Sequence, residues 1–223
     1  LFRSVVQESQ LGTGHAVLCA ERHLKDFTGE LLVLYGDAPL LTPAMLGRLV
    51  DCARTNRGIA ALGFNAADPK GYGRMIAEGD NLLRIVEEKD ANADERKIAL
   101  CNAGMLAGPA PLLFALLHRV GNNNKQGEYY LPDVIGLARA DGHGCYAVEG
   151  SEAEMQGVNS RVQLAEAEAV FQKRRARELM ESGVGMEAPH TVHLCADTLI
   201  EPDASIGPYV VFGPGAVVRS GAS

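Results

Sequence analysis

The residues best suited to chemistry stand where apolar runs stop. Leu31-Leu32-Val33-Leu34-Tyr35 is unbroken apolar sequence that ends at Gly36-Asp37. Open α/β sheets bind ligands beyond the carboxyl ends of their strands. A carboxylate there is a natural Mg²⁺ ligand, because Mg²⁺ takes few carboxylates and completes its shell with waters and substrate phosphates. By itself Asp37 also reads as the cap of a turn with Pro39. Gln10-Leu11-Gly12-Thr13-Gly14-His15 is a glycine-rich turn leading into a helical segment. Glycines admit a ligand close to the backbone, and a helix N-terminus favours anions, although a plain strand-to-helix turn has the same composition. A third set is Gly71-Tyr72-Gly73-Arg74, then Ile85-Val86-Glu87-Glu88-Lys89-Asp90, then Asn102-Ala103-Gly104. Glycine can turn a backbone N–H to a ligand carbonyl, and glutamate and asparagine at strand ends can hold hydroxyl and amide groups. Singly, each is more often a solvated charge or a turn residue. His15 reads as a helix-surface or packing histidine without chemistry.

These residues need a scaffold, and residues 1 to about 161 alternate short β-rich runs with helix-like segments, the pattern of an α/β domain. The run 31–35 is expected to be a central strand of a parallel sheet, covered on both faces. A further strand is expected over 58–64. Segments 74–78 and 82–88 flank Gly79-Asp80-Asn81, a hairpin signal. Helices are expected over 111–119 and 132–139, and a strand over 145–148. Residues 158–182 contain neither Gly nor Pro and are rich in Ala, Glu, Arg and Leu. They predict one helix, with Arg174 and Glu178 four residues apart, ended by Gly183-Val184-Gly185.

Beyond that helix lies an internal repeat. Leu194, Ile200, Ile206, Phe212 and Val218 recur every six residues, and Gly207 and Gly213 follow two of them. Neither a period of two nor one of 3.6 produces this spacing. A β-solenoid with three six-residue faces per coil does, each apolar residue pointing inward onto its equivalent one coil later.

Of the 223 residues, 47% are apolar and 22% charged, ordinary for a soluble protein with a sizeable core. A formal charge of −7 argues against a nucleic-acid or acidic-membrane binder. The five cysteines, at 19, 52, 101, 145 and 195, form no CxxC pair, and their odd number speaks for reduced thiols. There is no membrane-length apolar run and no signal-peptide pattern, so the soluble cytoplasm is the expected location. The chain starts at Leu1 and stops at Ser223 within the six-residue repeat, and both ends read as cuts.

Taken in order, QLGTGHAV, YGDAPLL, GYGRM, IVEEKDA, CNAGML, NNNKQGEYYLPDV and GVNSRVQL resemble the bacterial bifunctional N-acetylglucosamine-1-phosphate uridylyltransferases and glucosamine-1-phosphate acetyltransferases. The resemblance covers essentially the whole chain. It implies a Rossmann-like α/β nucleotidyltransferase domain over 1–161, truncated at its N-terminus. A linker helix over 162–183 and the first coils of a left-handed parallel β-helix of hexapeptide repeats over 184–223 follow. It also implies that Gln7, Gly12 and Thr13 contact the uracil end of the nucleotide, and that Tyr35 and Gly36 line the nucleotide-sugar site. Asp37 and Asn159 would be the catalytic pair holding Mg²⁺, and Gly73, Glu87 and Asn102 would read the N-acetylglucosamine moiety.

The implied reactants are UTP and N-acetylglucosamine 1-phosphate, and the implied product is UDP-N-acetylglucosamine. Acetyl-CoA would be used only by the intact parent, a homotrimer through its β-helices. The family's phosphate-binding loop, with its arginine and lysine, has no counterpart after Leu1, and most acetyltransferase coils have none before Ser223. The expectation is therefore a chain with the uridine and sugar pocket but very slow uridylyl transfer, since lost positioning and electrostatic contributions cost factors of about 10² to 10³ each. Two other readings stay open: a nucleotidyltransferase for another sugar phosphate, and a non-catalytic assembly protein that reuses this architecture.

Overall fold

The computed structural model describes residues 2–223, which divide into two units, one running to Met155 and the other Gln156–Ser223. The first unit opens with α1 (Thr13–Ala20), β1 (Glu30–Val33), α2 (Pro43–Asn56) and β2 (Ile59–Asn65). The hairpin β3 (Arg74–Glu78) and β4 (Asn81–Val86) follows, then β5 (Leu100–Pro109), α3 (Ala110–Leu117), α4 (Asp133–Ala140) and β6 (Cys145–Glu149). The strands form one six-stranded sheet in the order β1-β5-β2-β6-β4-β3.

Side-chain alternation along the strands builds a core on each face of this sheet. Ile59 and Ala61 of β2 join Leu106, Leu113, Leu117, Val134 and Ile135 on one face. Ala60, Leu62 and Phe64 join Met105, Ala107 and the Met45, Leu49 and Ala53 stripe of α2 on the other. Six of the seven β2 residues are buried, so β2 is the most enclosed strand described.

The expectation for 31–35 needs correcting. Among the described residues β1 is an edge strand, antiparallel to β5, with all four residues only half-buried. Its apolar run is nonetheless explained by two covered faces, since Leu31 and Val33 pack on one core and Leu32 on the other. The open edge leaves the run half-exposed, and the sheet is mixed because β5 runs antiparallel to both β1 and β2. Among the described residues, only β2 and β6 pair in parallel within it.

The hairpin, the helices expected near 111–119 and 132–139 and the strand at 145 all occur, and Gly79 opens the two-residue turn with φ 58°. Two elements carried no expectation. Helix α2 starts at Pro43 behind Thr42, whose side chain accepts from the Met45 N–H at 3.2 Å. Strand β5 is rich in small residues of weak strand preference, with Leu100, Met105 and Leu106 interspersed among them, and is held by partners on both sides.

The second unit begins with α5 (Arg161–Glu181), capped by Ser160, whose side chain accepts from the Gln163 N–H at 3.2 Å. Glu178 pairs with Arg175 at 3.2 Å. The short strands β7 (Gly185–Met186), β8 (Leu199–Ile200), β9 (Ser205–Ile206) and β10 (Val217–Val218) follow. Leu199 pairs in parallel with Val217, and His193 bridges in parallel to Val211, each partner eighteen positions later. Gly185 pairs in parallel with Ser205. Leu194, Ile200 and Ile206 are buried together with Ala176 and Leu179 of α5, and Phe212 and Val218 pack against them.

The side chain of Gln172 grips one residue of this stack twice. Its Oε1 accepts from the Leu194 N–H at 2.8 Å and its Nε2 donates to the Leu194 carbonyl at 2.7 Å. Gln172→Ala leaves both backbone groups of a residue that is 1% exposed without partners. It is expected to cost about 1–3 kcal/mol. Urea unfolding followed on the second unit's signals should show a lower midpoint at unchanged slope. A midpoint equal to that of the unsubstituted protein would refute the clamp's contribution.

Candidate nucleotide-sugar site

Gly12 caps α1 at φ 109°, and a Cβ there would lie 2.7 Å from the Tyr129 carbonyl oxygen and 2.9 Å from its nitrogen. The reason is a second stretch of chain lying on the turn. Tyr129 N–H donates to the Leu11 carbonyl at 2.8 Å, Gly14 N–H donates to the Tyr129 carbonyl at 2.8 Å, and Leu131 N–H donates to Thr13 Oγ1 at 2.9 Å. The glycines of this turn therefore serve chain-to-chain contact first. Gln7 is fixed over the same turn, its Nε2 donating to the Gly12 carbonyl at 3.1 Å and lying 2.9 Å from His15 Nδ1. His15 thus orients Gln7, a role its sequence context did not suggest.

The second cluster comes from strand register. Arg74, the first residue of β3, stands opposite Val86 of β4 and also opposite Cys101 of β5. Gly73, Glu87 and Asn102 are each one residue past that three-strand junction. Asn102 N–H donates to the Gly73 carbonyl at 2.8 Å, and a Cβ on Gly73 would lie 3.2 Å from Glu87 Oε1. Asn102 is 9% exposed, and its Oδ1 accepts from the Gly104 N–H at 3.0 Å. Its Nδ2 has no protein partner among the described residues.

Tyr35 joins the two clusters. The Thr13 side chain lies near enough to act on its hydroxyl, and its ring lies on Gly104, where φ is 79° and a Cβ would overlap Cε2. Burial, then the charge of Glu87, pushes the Tyr35 hydroxyl above the usual phenol value. Gly36 and Asp37 follow in an exposed turn, and nothing lies within 4 Å of a Cβ built on Gly36. The Asp37 carboxylate makes no hydrogen bond or ion pair among the described residues. Asn159 belongs to the second unit, where its side chain is exposed and its N–H donates to Gln163 Oε1 at 2.8 Å.

An acidic cleft of about 420 Å³ adjoins Glu87, lined among others by Asp90, Asp133, Tyr130, Asn123 and Arg84. Burial, then the neighbouring Asp133 and Asp90, raises the Glu87 carboxyl above its ordinary value. Burial and Asp90 raise Asp133 likewise. Asp133 and Tyr130 were not singled out from the sequence, although both lie in its EYYLPD stretch; their proximity to Glu87 is purely tertiary.

Among the described residues no three or more His, Cys, Asp or Glu side chains are grouped to hold a metal ion. The free, exposed carboxylate of Asp37 nonetheless suits a cation of the Mg²⁺ type, which needs only one or two protein oxygens when substrate phosphates supply others. No described helix is long and apolar enough to cross a membrane.

No protein-family model matches the chain. A bifunctional protein GlmU of Ruegeria sp. (strain TM1040) is 52% identical over 199 residues, which are 89% of this chain and 44% of that protein. Those of Hyphomonas neptunium and Bradyrhizobium diazoefficiens are 49% identical over 217 residues and 47% identical over 216 residues. Each alignment takes in 97% of this chain, and 47% and 48% of the respective relatives. The chain thus spans about half the length of the curated relatives it matches.

Among solved structures, UDP-glucose pyrophosphorylase complexed with UDP-glucose matches with a TM-score of 0.57 at 19% identity, covering 76% of this chain and 65% of that one. The nucleoside-diphosphate-sugar pyrophosphorylase from Vibrio cholerae RC9 matches with a TM-score of 0.57 at 12% identity, covering 73% and 66%. These likenesses establish the Rossmann-like α/β fold of such enzymes for this chain.

Proposed function

Over the stretch it spans, the chain belongs to the family of bifunctional GlmU proteins, and from that premise we propose that it carries the nucleotide-sugar part of a uridylyltransferase site. The reaction is attack by a phosphate oxygen of N-acetylglucosamine 1-phosphate on the α-phosphorus of UTP. The bond from that phosphorus to the bridging oxygen breaks, pyrophosphate leaves, and UDP-N-acetylglucosamine forms. Both reactants are anions, so the work is alignment and charge neutralisation rather than proton transfer. A divalent ion, Mg²⁺ in this reading, supplies that neutralisation when bound. Asp37 is assigned to it, and the resemblance assigns Asn159 to it as well.

The convergence of Gly73, Glu87 and Asn102 on one strand junction, with the Tyr35 ring packed on the neighbouring Gly104, is the observation that supports the reading best. In it, the unpartnered Asn102 Nδ2 donates to the acetamido oxygen and the Glu87 carboxylate accepts from a sugar hydroxyl. Gly73 contributes its N–H, which no described residue takes. Tyr35 and Gly36 line the bound nucleotide-sugar. Gln7, Gly12 and Thr13 hold the uracil end, the first kept in place by His15.

The second unit is read as the opening coils of a left-handed parallel β-helix. Its parallel pairings eighteen positions apart and inward apolar residues six apart support this. Trimer formation, acetyl-CoA use and a cytoplasmic location come to the reading from the resemblance alone.

Calorimetric titration with UDP-N-acetylglucosamine, with Mg²⁺ and then with a chelator, tests the proposal. Mg²⁺ should tighten binding by about tenfold. Asp37→Ala should abolish that gain while leaving the affinity in chelator unchanged. Absence of binding, or binding indifferent to Mg²⁺ in both proteins, would sink the reading.

A further inference from the structure

We propose that Arg74 is the positioning residue of the sugar subsite, tying together the segments around the strand junction beside which Gly73, Glu87 and Asn102 stand; the inference rests on the uridylyltransferase reading above. Arg74 is the largest of the fully buried side chains, 2% exposed. Burying a guanidinium is costly unless its partners are well placed. Nothing in the hairpin fold calls for it, since the next residue, Met75, fills an adjoining buried position with an apolar chain.

The partners explain the choice. Arg74 Nη1 donates to the Tyr72 carbonyl and faces Glu88 Oε2 at 3.8 Å, and Nη2 donates to the Arg96 carbonyl at 3.2 Å. Glu88 in turn accepts from the Gly71 N–H, and its carbonyl accepts from the Arg96 guanidinium, Nε at 3.3 Å and Nη2 at 3.2 Å. One buried cation therefore joins the loop before β3, the turn after β4 and the loop before β5. Its own backbone meanwhile holds β3 to Val86 and Cys101. Gly73 and Glu87 are each one step from a side-chain tie, at Tyr72 and Glu88, and Asn102 is one step from Cys101, which pairs with the backbone of Arg74. The planar fork of arginine reaches several carbonyls and a carboxylate at once, which the single ammonium of lysine cannot.

The remainder of the site does not pass through this network. Gln7, Gly12 and Thr13 are fixed by His15 and the backbone of Tyr129 and Leu131. Loss of Arg74 should therefore weaken recognition of the sugar while sparing that of the nucleotide, a split that general destabilisation does not produce.

The test compares UDP-N-acetylglucosamine with UDP as ligands for the full chain and its Arg74→Met and Arg74→Lys variants, by calorimetry in Mg²⁺. Arg74→Met should lose about tenfold to a hundredfold in affinity for UDP-N-acetylglucosamine and change less than about twofold for UDP, with Arg74→Lys between it and the unsubstituted chain. If Arg74→Met does not fold, Glu88→Gln takes its place, with the same selective loss expected. Equal weakening for both ligands, or none for either, overturns the positioning role alone. Failure of the unsubstituted chain to bind UDP-N-acetylglucosamine overturns the functional reading, and this inference with it.

Discussion

Gly12→Ala is expected to destabilise the first unit by roughly 3 kcal/mol, the sum of a positive-φ penalty and a steric clash. The added Cβ meets the Tyr129 carbonyl oxygen at 2.7 Å and its nitrogen at 2.9 Å, and neither is the yielding tip of a side chain. Relief would require the 128–131 stretch to move off the turn. That motion would lengthen the Tyr129–Leu11, Gly14–Tyr129 and Leu131–Thr13 hydrogen bonds together. Thermal unfolding should fall by about 10 °C for a unit of this size. Gly36→Ala provides the contrast, because a Cβ there meets nothing within 4 Å. It should leave the unfolding temperature within about 2 °C. Equal stability of Gly12→Ala and the unsubstituted protein would show that the two stretches do not lie against each other in solution.

The second large effect is expected at Glu87, where stability and binding should move in opposite directions. Burial, Asp133 and Asp90 raise its carboxyl above the ordinary value of 4.5. The folded protein therefore holds this proton more tightly than the unfolded chain does. The associated stability is complete below pH 4.5 and is lost as pH climbs through the raised value. At neutral pH Glu87 is thus a charge the fold tolerates at a cost.

Glu87→Gln should raise the unfolding temperature by about 1–3 °C at pH 7 and have no effect at pH 4. The same change should weaken UDP-N-acetylglucosamine binding by about tenfold or more, since a charged acceptor for a sugar hydroxyl is replaced by a neutral one. Differential scanning calorimetry at the two pH values and a ligand titration read the two halves separately. A variant less stable at pH 7 than the unsubstituted protein would contradict the electrostatic account.

What could be read from the sequence follows from where the information is stored. The hairpin was legible because Gly79-Asp80-Asn81 is a local signal, and the long helix because 158–182 lacks any breaker. The six-residue repeat was legible because its apolar positions are buried together in one cluster, a regular spacing that the residue types alone display. Strand β5 was not, because Leu100–Pro109 draws its strand character from β1 and β2 on either side rather than from its own residues. Helix α2 was overlooked although Thr42-Pro43 is an ordinary start signal. The run 31–35 misled because apolar residues on two faces are equally compatible with a central and an edge strand.

In the site, the motif pieces named Gly73, Glu87 and Asn102 but could not reveal that one register joins them. Arg74 stood inside a quoted motif, yet its burial depends on Glu88 and Arg96, which no local pattern connects to it.

The amide of Gln172 has one more consequence. By occupying both backbone groups of Leu194, it imitates the peptide of a neighbouring strand and stoppers the stack at the helix end. On this side the stack stands on α5 as a column on a plinth. A further parallel segment engineered to pair with Leu194 on that side would have to evict the Gln172 side chain first.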